Sequence, residues 1–214
     1  MKILNELVQS SPQWLDSRVW KISGTKLASV MAWKKAVDTF MFELLSESLA
    51  PLEENFISPA MERWTRLEPY AIIEYERKHN EKVEQPWLII ADHSFSICSP
   101  DWIIANTEGK YTKALEIKCL GAKKMLKYML AKEPKDIYKI EKTYYWQIVN
   151  YFICLNDLEE LTFFLYNPDM YEEKFQIFEM VIKRDQIEKD IAKAKSSILE
   201  FEGNFNKLIL DLWV

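Results

Sequence analysis

The scarcity of glycine is the feature that most constrains how this chain can fold: four glycines occur among its 214 residues. Glycine is the residue that most readily adopts the positive φ angles of tight hairpins and phosphate-binding loops. The four glycines lie too far apart to form a GxGxxG dinucleotide-binding motif. Their scarcity also argues against a collagen-like chain, a Gly-rich linker and an all-β protein built from tight hairpins. These exclusions leave the helical and mixed fold classes.

The composition indicates a folded protein of a reducing compartment. Apolar residues make up 49% of the chain and aromatic residues 14%, which is enough to bury a full core. The three cysteines contain no CxxC pair, and the two histidines are too few to complete a zinc site with them. The N-terminus lacks the features of a signal peptide, and no apolar run approaches the ~18 residues of a membrane span. We therefore expect a cytoplasmic protein with no membrane partner.

Apolar periodicity divides the chain into a helical first part and a later part in which strands and helices alternate. The predicted helices begin at Ser11-Pro12 and at Ser23 or Thr25, and span about 37–49, 58–79, 140–155 and 185–201, with lysine-rich helical sequence after residue 119. The predicted strands span 87–91, 95–98, 102–105, 114–119, 160–166 and 175–182. This order predicts an α/β (α+β) fold in which helices flank a central mixed β-sheet.

We expect a single domain over residues 1–214, because no repeat, low-complexity tract or Gly/Ser-rich linker interrupts the chain. Its expected parts are a helical N-terminal region of about 1–80, a sheet core of about 85–182 and a C-terminal helix of about 184–212.

Charge is distributed unevenly along the chain. The net charge is −5 overall, but the segment 118–142 contains eight lysines and three acidic residues. An acidic total does not exclude nucleic acid, because clefts bind phosphates through local fields. A solvated helical face would explain these lysines, whereas the tyrosines interleaved with them favour a surface that follows a nucleic-acid backbone. Lys123, Lys124 and Lys127 are then the candidate phosphate contacts.

A Glu-x-Lys strand carries the chemistry of the predicted site. Side chains alternate along a strand, so Glu116 and Lys118 share one face. Alone, this pair is typical of a solvated edge strand, and Asp101, which follows a proline, is typical of a turn. Together, the two carboxylates can hold Mg²⁺, with the backbone carbonyl of Ile117 as an extra ligand. Lys118 can position an attacking water and offset developing negative charge. This is the PD-(D/E)xK nuclease pattern.

Two helices add further polar groups. Glu68 lies within the apolar stripe of the long helix, where a carboxylate is costly to bury unless it is paired, protonated or bound to a metal. It is either a boundary residue that reaches solvent or a third acid of the site. Tyr144 and Gln147 face the same way on a later helix, either as its polar flank or as groups that steady a water or phosphate.

A second set of polar residues precedes these motifs. Arg18 follows Trp14 by four residues, so the indole can pack against the arginine and fix its guanidinium. Ser23 and Thr25 lie at an expected helix start, where hydroxyl and backbone N–H groups converge on an anion. By themselves these residues favour a plain helix cap beside a surface arginine.

Five motifs in order carry a family resemblance over residues 14–169. They are Trp14-Leu15…Arg18…Ile22-Ser23-Gly24-Thr25, Leu67-Glu68-Pro69-x-Ala71, Cys98-Ser99-Pro100-Asp101, Leu115-Glu116-Ile117-Lys118-Cys119 and Tyr144-x-x-Gln147. In these the chain resembles the YqaJ-type, lambda exonuclease-like viral recombinases of the PD-(D/E)xK nuclease superfamily. Trp64 and Trp102 depart from the family, which usually has glycine there, at positions that bear on the width of the cleft and the path of DNA.

The resemblance implies a restriction-endonuclease-like core and a Mg²⁺-dependent exonuclease, with Mn²⁺ as a substitute. Such an enzyme degrades one strand of duplex DNA from its ends, 5′ to 3′, and leaves a 3′ single strand for phage-type recombination by strand annealing. The resemblance also implies a homotrimer, a single-strand annealing protein as partner, and the cytoplasm of a bacterial host or phage-infected cell.

The resemblance also assigns roles to residues. Asp101, Glu116 and the Ile117 carbonyl would bind the metal, with Glu68 completing or orienting the site. Lys118 would hold the nucleophilic water. Gln147 with Tyr144 would steady the water or the scissile phosphate. The terminal 5′-phosphate would be bound by Arg18, Ser23 and Thr25.

Two alternative functions stay open from the sequence. One is a structure- or site-specific DNA endonuclease of the same superfamily, which would cut a covalently closed circle. The other is a non-catalytic DNA-end-binding or adaptor protein. The complete set of acids and lysine argues against the second, because a site without catalytic work has no physical need to keep costly charges.

Overall fold

The computed structural model describes residues 2–4, 11–50, 58–86, 88–92 and 95–213. The strands are β1 (Lys2–Ile3), β2 (Ile89–Ile90), β3 (Ile97–Cys98), β4 (Trp102–Ala105), β5 (Tyr111–Lys118), β6 (Glu160–Tyr166) and β7 (Ile177–Lys183). The helices are α1 (Pro12–Asp16), α2 (Gly24–Val30), α3 (Lys34–Ser46), α4 (Pro59–His79), α5 (Ala122–Tyr128), α6 (Pro134–Ile140), α7 (Lys142–Cys154) and α8 (Glu188–Trp213), with 3₁₀ turns at Glu173–Phe175 and Arg184–Ile187. None of the described helices is long and apolar enough to cross a membrane.

The main sheet is mixed, as the sequence predicts, and its strand order is β4-β5-β6-β7. β4 and β5 are antiparallel neighbours joined by a turn in which Gly109 has a φ of 76°. β5 and β6 are parallel, and β7 returns antiparallel to β6. Parallel strands need a crossover connection, which α5, α6 and α7 supply between β5 and β6.

Helices cover both faces of this sheet around β5. Leu115 and Ile117 pack with Leu67 and Ala71 of α4 on one face. Ala114 packs in the larger core cluster, to which α2, α7 and α8 contribute, on the other. A strand buried on both faces is apolar along its length instead of alternating. Glu116, on the α7 face, interrupts that apolar run.

The predicted strands 87–91 and 95–98 are shorter than expected and lie outside the main sheet. Where the sequence predicts a single central sheet, β2 and β3 form a small antiparallel sheet with β1. Trp87 lies outside the described residues. Alternation shows that a strand has a buried face, but not which strand it pairs with. A parallel bridge between Ile22 and Ser96 joins the small sheet to the start of α2.

The two long helices begin close to where the sequence predicts. Ser58 caps α4, and Asn80 ends it in the left-handed conformation with a φ of 51°. α8 continues to Trp213, close to the expected end of the C-terminal helix near residue 212, so the helix extends well past the end that periodicity predicts near Phe201. The apolar face of α8 continues past that residue, because Phe205 is fully buried against the core.

Candidate active site

Strand β5 places Glu116 and Lys118 on the face of the sheet that α7 covers. Glu116 has 1% of its surface exposed, and the Lys118 side chain is 15% exposed. A buried carboxylate is costly unless charged or hydrogen-bonding groups satisfy it. The Lys118 ammonium donates to Glu116 Oε1. The two residues therefore form a buried ion pair and not the solvated edge of a sheet.

Helix α7 supplies the remaining partners of Glu116. Gln147 Nε2 donates to Glu116 Oε1 over 2.8 Å, and the Tyr151 hydroxyl donates to Glu116 Oε2. Gln147 Nε2 also donates to the Tyr151 oxygen over 2.7 Å. Residues four apart lie on one helix face, so Gln147 and Tyr151 reach the carboxylate together. Both carboxylate oxygens are thus hydrogen-bonded.

Asp101 reaches the site because β5 extends beyond the start of β4. β4 begins at Trp102, which pairs with Leu115. The main chain of Ile117 consequently lies past the last pair with β4, and its N–H donates to Asp101 Oδ2 over 2.6 Å. Burial and the negative charge of Glu116 raise the pKa of Asp101 well above its ordinary value. Glu116 is buried and Asp101 is half-buried, and two such carboxylates that repel each other favour a bound cation.

The Ile117 carbonyl, a predicted metal ligand, already has one hydrogen-bond donor. The indole Nε1 of Trp64 donates to it over 3.3 Å. Trp64 also lines the cleft that contains Asp101 and Glu116. A tryptophan at this position therefore narrows the approach to the carboxylates with its ring.

Glu68 lies half-buried on α4, within the electrostatic reach of the site. Burial and the charge of Glu116 raise its pKa, although Lys118 opposes this change. Among the described residues, no three His, Cys, Asp or Glu side chains are grouped so that they could hold a metal ion. Metal ligation by Glu68 therefore stays a prediction.

The donor set of Asp101, Glu116 and the Ile117 carbonyl fits Mg²⁺. This ion takes oxygen ligands and commonly uses one or two protein carboxylates, which leaves positions for water and phosphate. All the donors are oxygens, and burial together with the charge of Glu116 raises the pKa of Asp101, an effect that a bound cation would oppose. Mn²⁺ suits the same ligands.

Lys118 is protonated at neutral pH in this setting. Burial alone would lower its pKa, but the charges of Glu116 and Asp101 outweigh burial and raise it. An ammonium group has three donors and no acceptor. Lys118 can therefore hold a water or stabilise an anion, and it cannot accept a proton from a nucleophile.

Tyr144 and Gln147, which the sequence pairs, occupy different places. Gln147 lines the cleft, whereas Tyr144 contacts Lys118 from beside it, with the ammonium 5.1 Å from the ring centre. The tyrosine whose hydroxyl reaches Glu116 is Tyr151, which sequence analysis missed. Its four-residue spacing from Gln147 is the pattern that could have identified it.

The cleft also contains the second predicted set of residues, Arg18, Ser23 and Thr25. Arg18 follows the end of α1, and its guanidinium lies 4.1 Å from the ring centre of Trp14. Burial lowers the pKa of Arg18. The hydroxyls of Ser23 and Thr25 lie 3.3 Å apart. One guanidinium and two hydroxyls are donors suited to a phosphate. The structure thus places both sets around one cavity.

Lys123, Lys124 and Lys127 line a separate groove on α5. Lys124 forms an ion pair with Glu141 over 3.1 Å, and its ammonium lies 4.5 Å from the ring centre of Tyr144. Because Lys118 contacts the same ring, this basic groove borders the cleft.

Solved structures share this fold. An alkaline exonuclease, LHK-Exo from Laribacter hongkongensis, matches with a TM-score of 0.79 and 24% identity over 94% of this chain and 96% of that one. Its complex with dAMP matches with a TM-score of 0.80, again at 24% identity over 94% and 96% of the two chains. A phage-related exonuclease from Haemophilus somnus 129PT matches with a TM-score of 0.67 and 14% identity over 90% and 96%.

A search of curated proteins found no match to the chain. The sequence model of the YqaJ-like viral recombinase domain, however, matches residues 13–156, about two thirds of the chain and all the motifs described above. Together with the shared fold, this match shows that the chain belongs to the YqaJ-like viral recombinase domain family.

Proposed function

We propose that this protein is a Mg²⁺-dependent exonuclease that degrades one strand of duplex DNA from its ends, 5′ to 3′, and leaves a 3′ single strand for recombination. The family and the fold indicate a nuclease, an enzyme that hydrolyses DNA. The observation that carries the proposal is a single cleft lined by Arg18 and two hydroxyls as well as by Asp101, Glu116 and Lys118. An exonuclease needs this combination of an end-binding group beside a hydrolytic group.

In this proposal Asp101, Glu116 and the Ile117 carbonyl hold Mg²⁺, with Glu68 completing or orienting the site. When bound, the ion would polarise the phosphate and lower the pKa of a bound water. Lys118 donates a hydrogen bond to the attacking water and offsets the charge that develops on the phosphate.

In this proposal Gln147 orients the same water. Its Oε1 is buried and has no hydrogen-bond partner among the described residues. A buried acceptor of this kind is costly unless a donor occupies the adjacent space, and a water molecule can supply that donor. Tyr144 acts indirectly, through its ring contact with the Lys118 ammonium.

DNA binding in this proposal divides between two surfaces. Arg18, Ser23 and Thr25 bind the terminal 5′-phosphate, which the planar arginine fork can grip with two hydrogen bonds. Lys123 and Lys127, with Lys124 once it leaves Glu141, contact the backbone of the duplex along the neighbouring groove. Such contacts do not depend on base sequence.

We further propose one domain over residues 1–214, a homotrimer, a single-strand annealing protein as partner, and action in the cytoplasm of a bacterium or a phage-infected cell. The single domain rests on the absence of a repeat or linker in the sequence, and the other assignments are what the family implies. The three buried, free cysteines also suit a reducing compartment. Light scattering during size-exclusion chromatography will test the trimer, and a mass of one chain would contradict it.

One assay tests the activity and separates the alternatives. Linear duplex labelled at the 5′ or the 3′ end, and a covalently closed circle, are incubated with Mg²⁺ or with EDTA. We expect early release of the 5′ label, late release of the 3′ label, an intact circle and no reaction in EDTA. A cut circle would indicate an endonuclease, and binding without cleavage would indicate an adaptor protein.

A further inference from the structure

Tyr151 is a fully buried residue of α7 to which neither the sequence motifs nor the proposed catalytic steps assign a role. Its hydroxyl donates to Glu116 Oε2 and accepts from Gln147 Nε2 over 2.7 Å. We propose that Tyr151 is a positioning residue that fixes both the metal-binding carboxylate of Glu116 and the amide of Gln147. This inference rests on the proposed nuclease function and deepens it.

The two oxygens of Glu116 have different surroundings. Lys118 and Gln147 converge on Oε1, whereas Tyr151 is the donor that the structure gives to Oε2. Glu116 has 1% of its surface exposed, so water cannot readily replace a missing donor. Without the hydroxyl, Oε2 would be a buried, unsatisfied charged oxygen, and the carboxylate would rotate towards the remaining donors.

The hydroxyl also sets the direction of the Gln147 amide. The amide nitrogen has two hydrogens, and these are directed to Glu116 Oε1 and to the Tyr151 oxygen. Both bonds together leave Gln147 Oε1 as the buried acceptor without a partner among the described residues. Without the Tyr151 oxygen, the side-chain amide of Gln147 is free to rotate. Its Oε1 then no longer faces the proposed water.

The test compares Tyr151→Phe with Tyr128→Phe. Tyr128 is an equally buried tyrosine whose hydroxyl has no hydrogen-bond partner in the described part of the chain, so its variant measures the general effect of deleting a buried hydroxyl. Mn²⁺ binding is measured by calorimetry without DNA. The kcat, the KM for duplex ends and the Mg²⁺ dependence of cleavage are measured separately.

We expect Tyr151→Phe to weaken Mn²⁺ binding and to lower kcat by ~10–100-fold, the usual effect of removing a group that orients a metal ligand. The KM for DNA ends and the thermal midpoint should stay close to those of Tyr128→Phe, which should behave as wild type. Wild-type metal binding and kcat in Tyr151→Phe, or equal losses in both variants, would overturn the inference.

A double variant keeps the inference testable if Tyr151→Phe loses stability. If Tyr151 acts through Gln147 and Glu116, the losses of kcat in Gln147→Met and Tyr151→Phe will be less than additive in the double variant. Additive losses would contradict the inference. If the wild-type protein degrades DNA and Tyr151→Phe degrades it equally well, this inference alone is refuted. A wild type that binds no Mn²⁺ and degrades no DNA would refute the proposed function as well.

Discussion

Lys118 is the residue that balances the charge of the carboxylates in the cleft. Its ammonium contacts Glu116, and the raised pKa of Lys118 reflects attraction by both Glu116 and Asp101. The same charge would act on the pentavalent phosphate, whose negative charge increases during hydrolysis. Lys118 should therefore affect the reaction rate more than the binding of DNA.

We expect Lys118→Ala to lower cleavage by ~10²–10³-fold, the usual loss when a preorganised charge is removed from a transition state. DNA binding should stay near normal in a gel-shift assay. Lys113→Ala is the matched control, because Lys113 lies on the same strand and pairs with Glu81 and Glu160 outside the cleft. Lys118→Ala with more than about a tenth of wild-type turnover would contradict the assignment.

Arg18 is expected to distinguish a DNA end from its interior. Arg18→Ala should abolish any preference for 5′-phosphorylated over 5′-hydroxyl ends and shorten each digestion run, because the stacked guanidinium is the charged donor of that part of the cleft. Calorimetric Mn²⁺ binding should not change. Lys35→Ala, at an exposed position of α3, is the control. If Arg18→Ala keeps the preference, Lys21 or Lys26 becomes the next candidate.

The sequence could predict the charged residues of the site but not its tyrosine. Glu116 and Lys118 stand out because they interrupt an apolar strand, Asp101 stands out because it follows a proline just before the next strand, and both patterns are local. Tyr151 resembles any aromatic residue of a buried helix. Which tyrosine hydroxyl reaches Glu116 depends on how α7 is rotated against β5, and that rotation is set by tertiary packing.

Among the elements, the contact between α2 and α7 determines where Gln147 lies. A Cβ added at Gly24 would lie 2.8 Å from Gln147 Cγ and 3.3 Å from its Cα. Ser23 and Thr25, the candidate phosphate ligands, flank this glycine, and the structure adds a packing reason for glycine between them. The close approach of the two helices keeps the amide within reach of Glu116.

Gly24→Ala should therefore destabilise the protein by about 1–3 kcal/mol, as overpacking does, and reduce cleavage by displacing Gln147. Thermal unfolding and the end-labelled assay will measure the two effects. Gly203→Ala provides a control of opposite sign. Apart from its chain neighbours and its own helix backbone, no atom of the described residues lies within 4 Å of a Cβ added there, so alanine should stabilise the exposed helix by about 0.5–1 kcal/mol. Equal stability of the two variants would contradict this account.

A second junction joins α8 to α6 and α7 through Asp190. Its carboxylate accepts from the Tyr145 hydroxyl over 2.6 Å and from Lys135 over 2.5 Å. Burial alone would raise the pKa of Asp190, but these hydrogen bonds outweigh burial and lower it. A carboxylate with a lowered folded-state pKa stabilises the fold above its unfolded pKa, and this contribution disappears as the pH falls through the folded value.

Asp190→Asn should thus lower the free energy of unfolding by about 1 kcal/mol at pH 7. The loss is small because Lys135 is half exposed, so that solvent screens its charge. The difference from wild type should shrink as the pH falls below about 4, near the unfolded pKa of aspartate. Thermal midpoints across that pH range will check this. Asp185→Asn, at an exposed position, is the control.

Element positions could be predicted more accurately than strand pairing. β4 and β6 have the bounds that alternation predicts, 102–105 and 160–166. The strands near Ile89 and Ile97 were expected in the central sheet and instead pair with each other, and the first of them also pairs with Lys2–Ile3. Pairing joins residues far apart in sequence, so a local pattern does not contain it.

For the whole molecule, the main electrostatic feature is a basic groove on an acidic protein. The chain carries a net charge of −5, and Lys123, Lys124 and Lys127 line one groove beside the cleft. An acidic surface elsewhere would repel DNA and leave this groove as the favoured approach. Binding should accordingly depend on a few local contacts.

Replacing Lys123, Lys124 and Lys127 with alanine should weaken duplex binding regardless of base sequence. The slope of log affinity against log salt should fall by about 0.9 for each phosphate that a lysine no longer neutralises. The control replaces Lys35, Lys189 and Lys207, three exposed lysines on α3 and α8, with the same change in net charge. An unchanged slope in the first variant would show that these lysines of α5 form a solvated helix face and do not contact DNA.

The parallel crossover between β5 and β6 orders events while the chain is being synthesised. Glu116 and Lys118 leave the ribosome before the helix that supplies Gln147 and Tyr151, and before the strand that begins at Glu160. Until those later segments emerge, the Glu-x-Lys strand lacks its parallel neighbour, and the Glu116 carboxylate forms hydrogen bonds with water instead of with α7. The proposed site is therefore complete only after α7 and β6 have been synthesised.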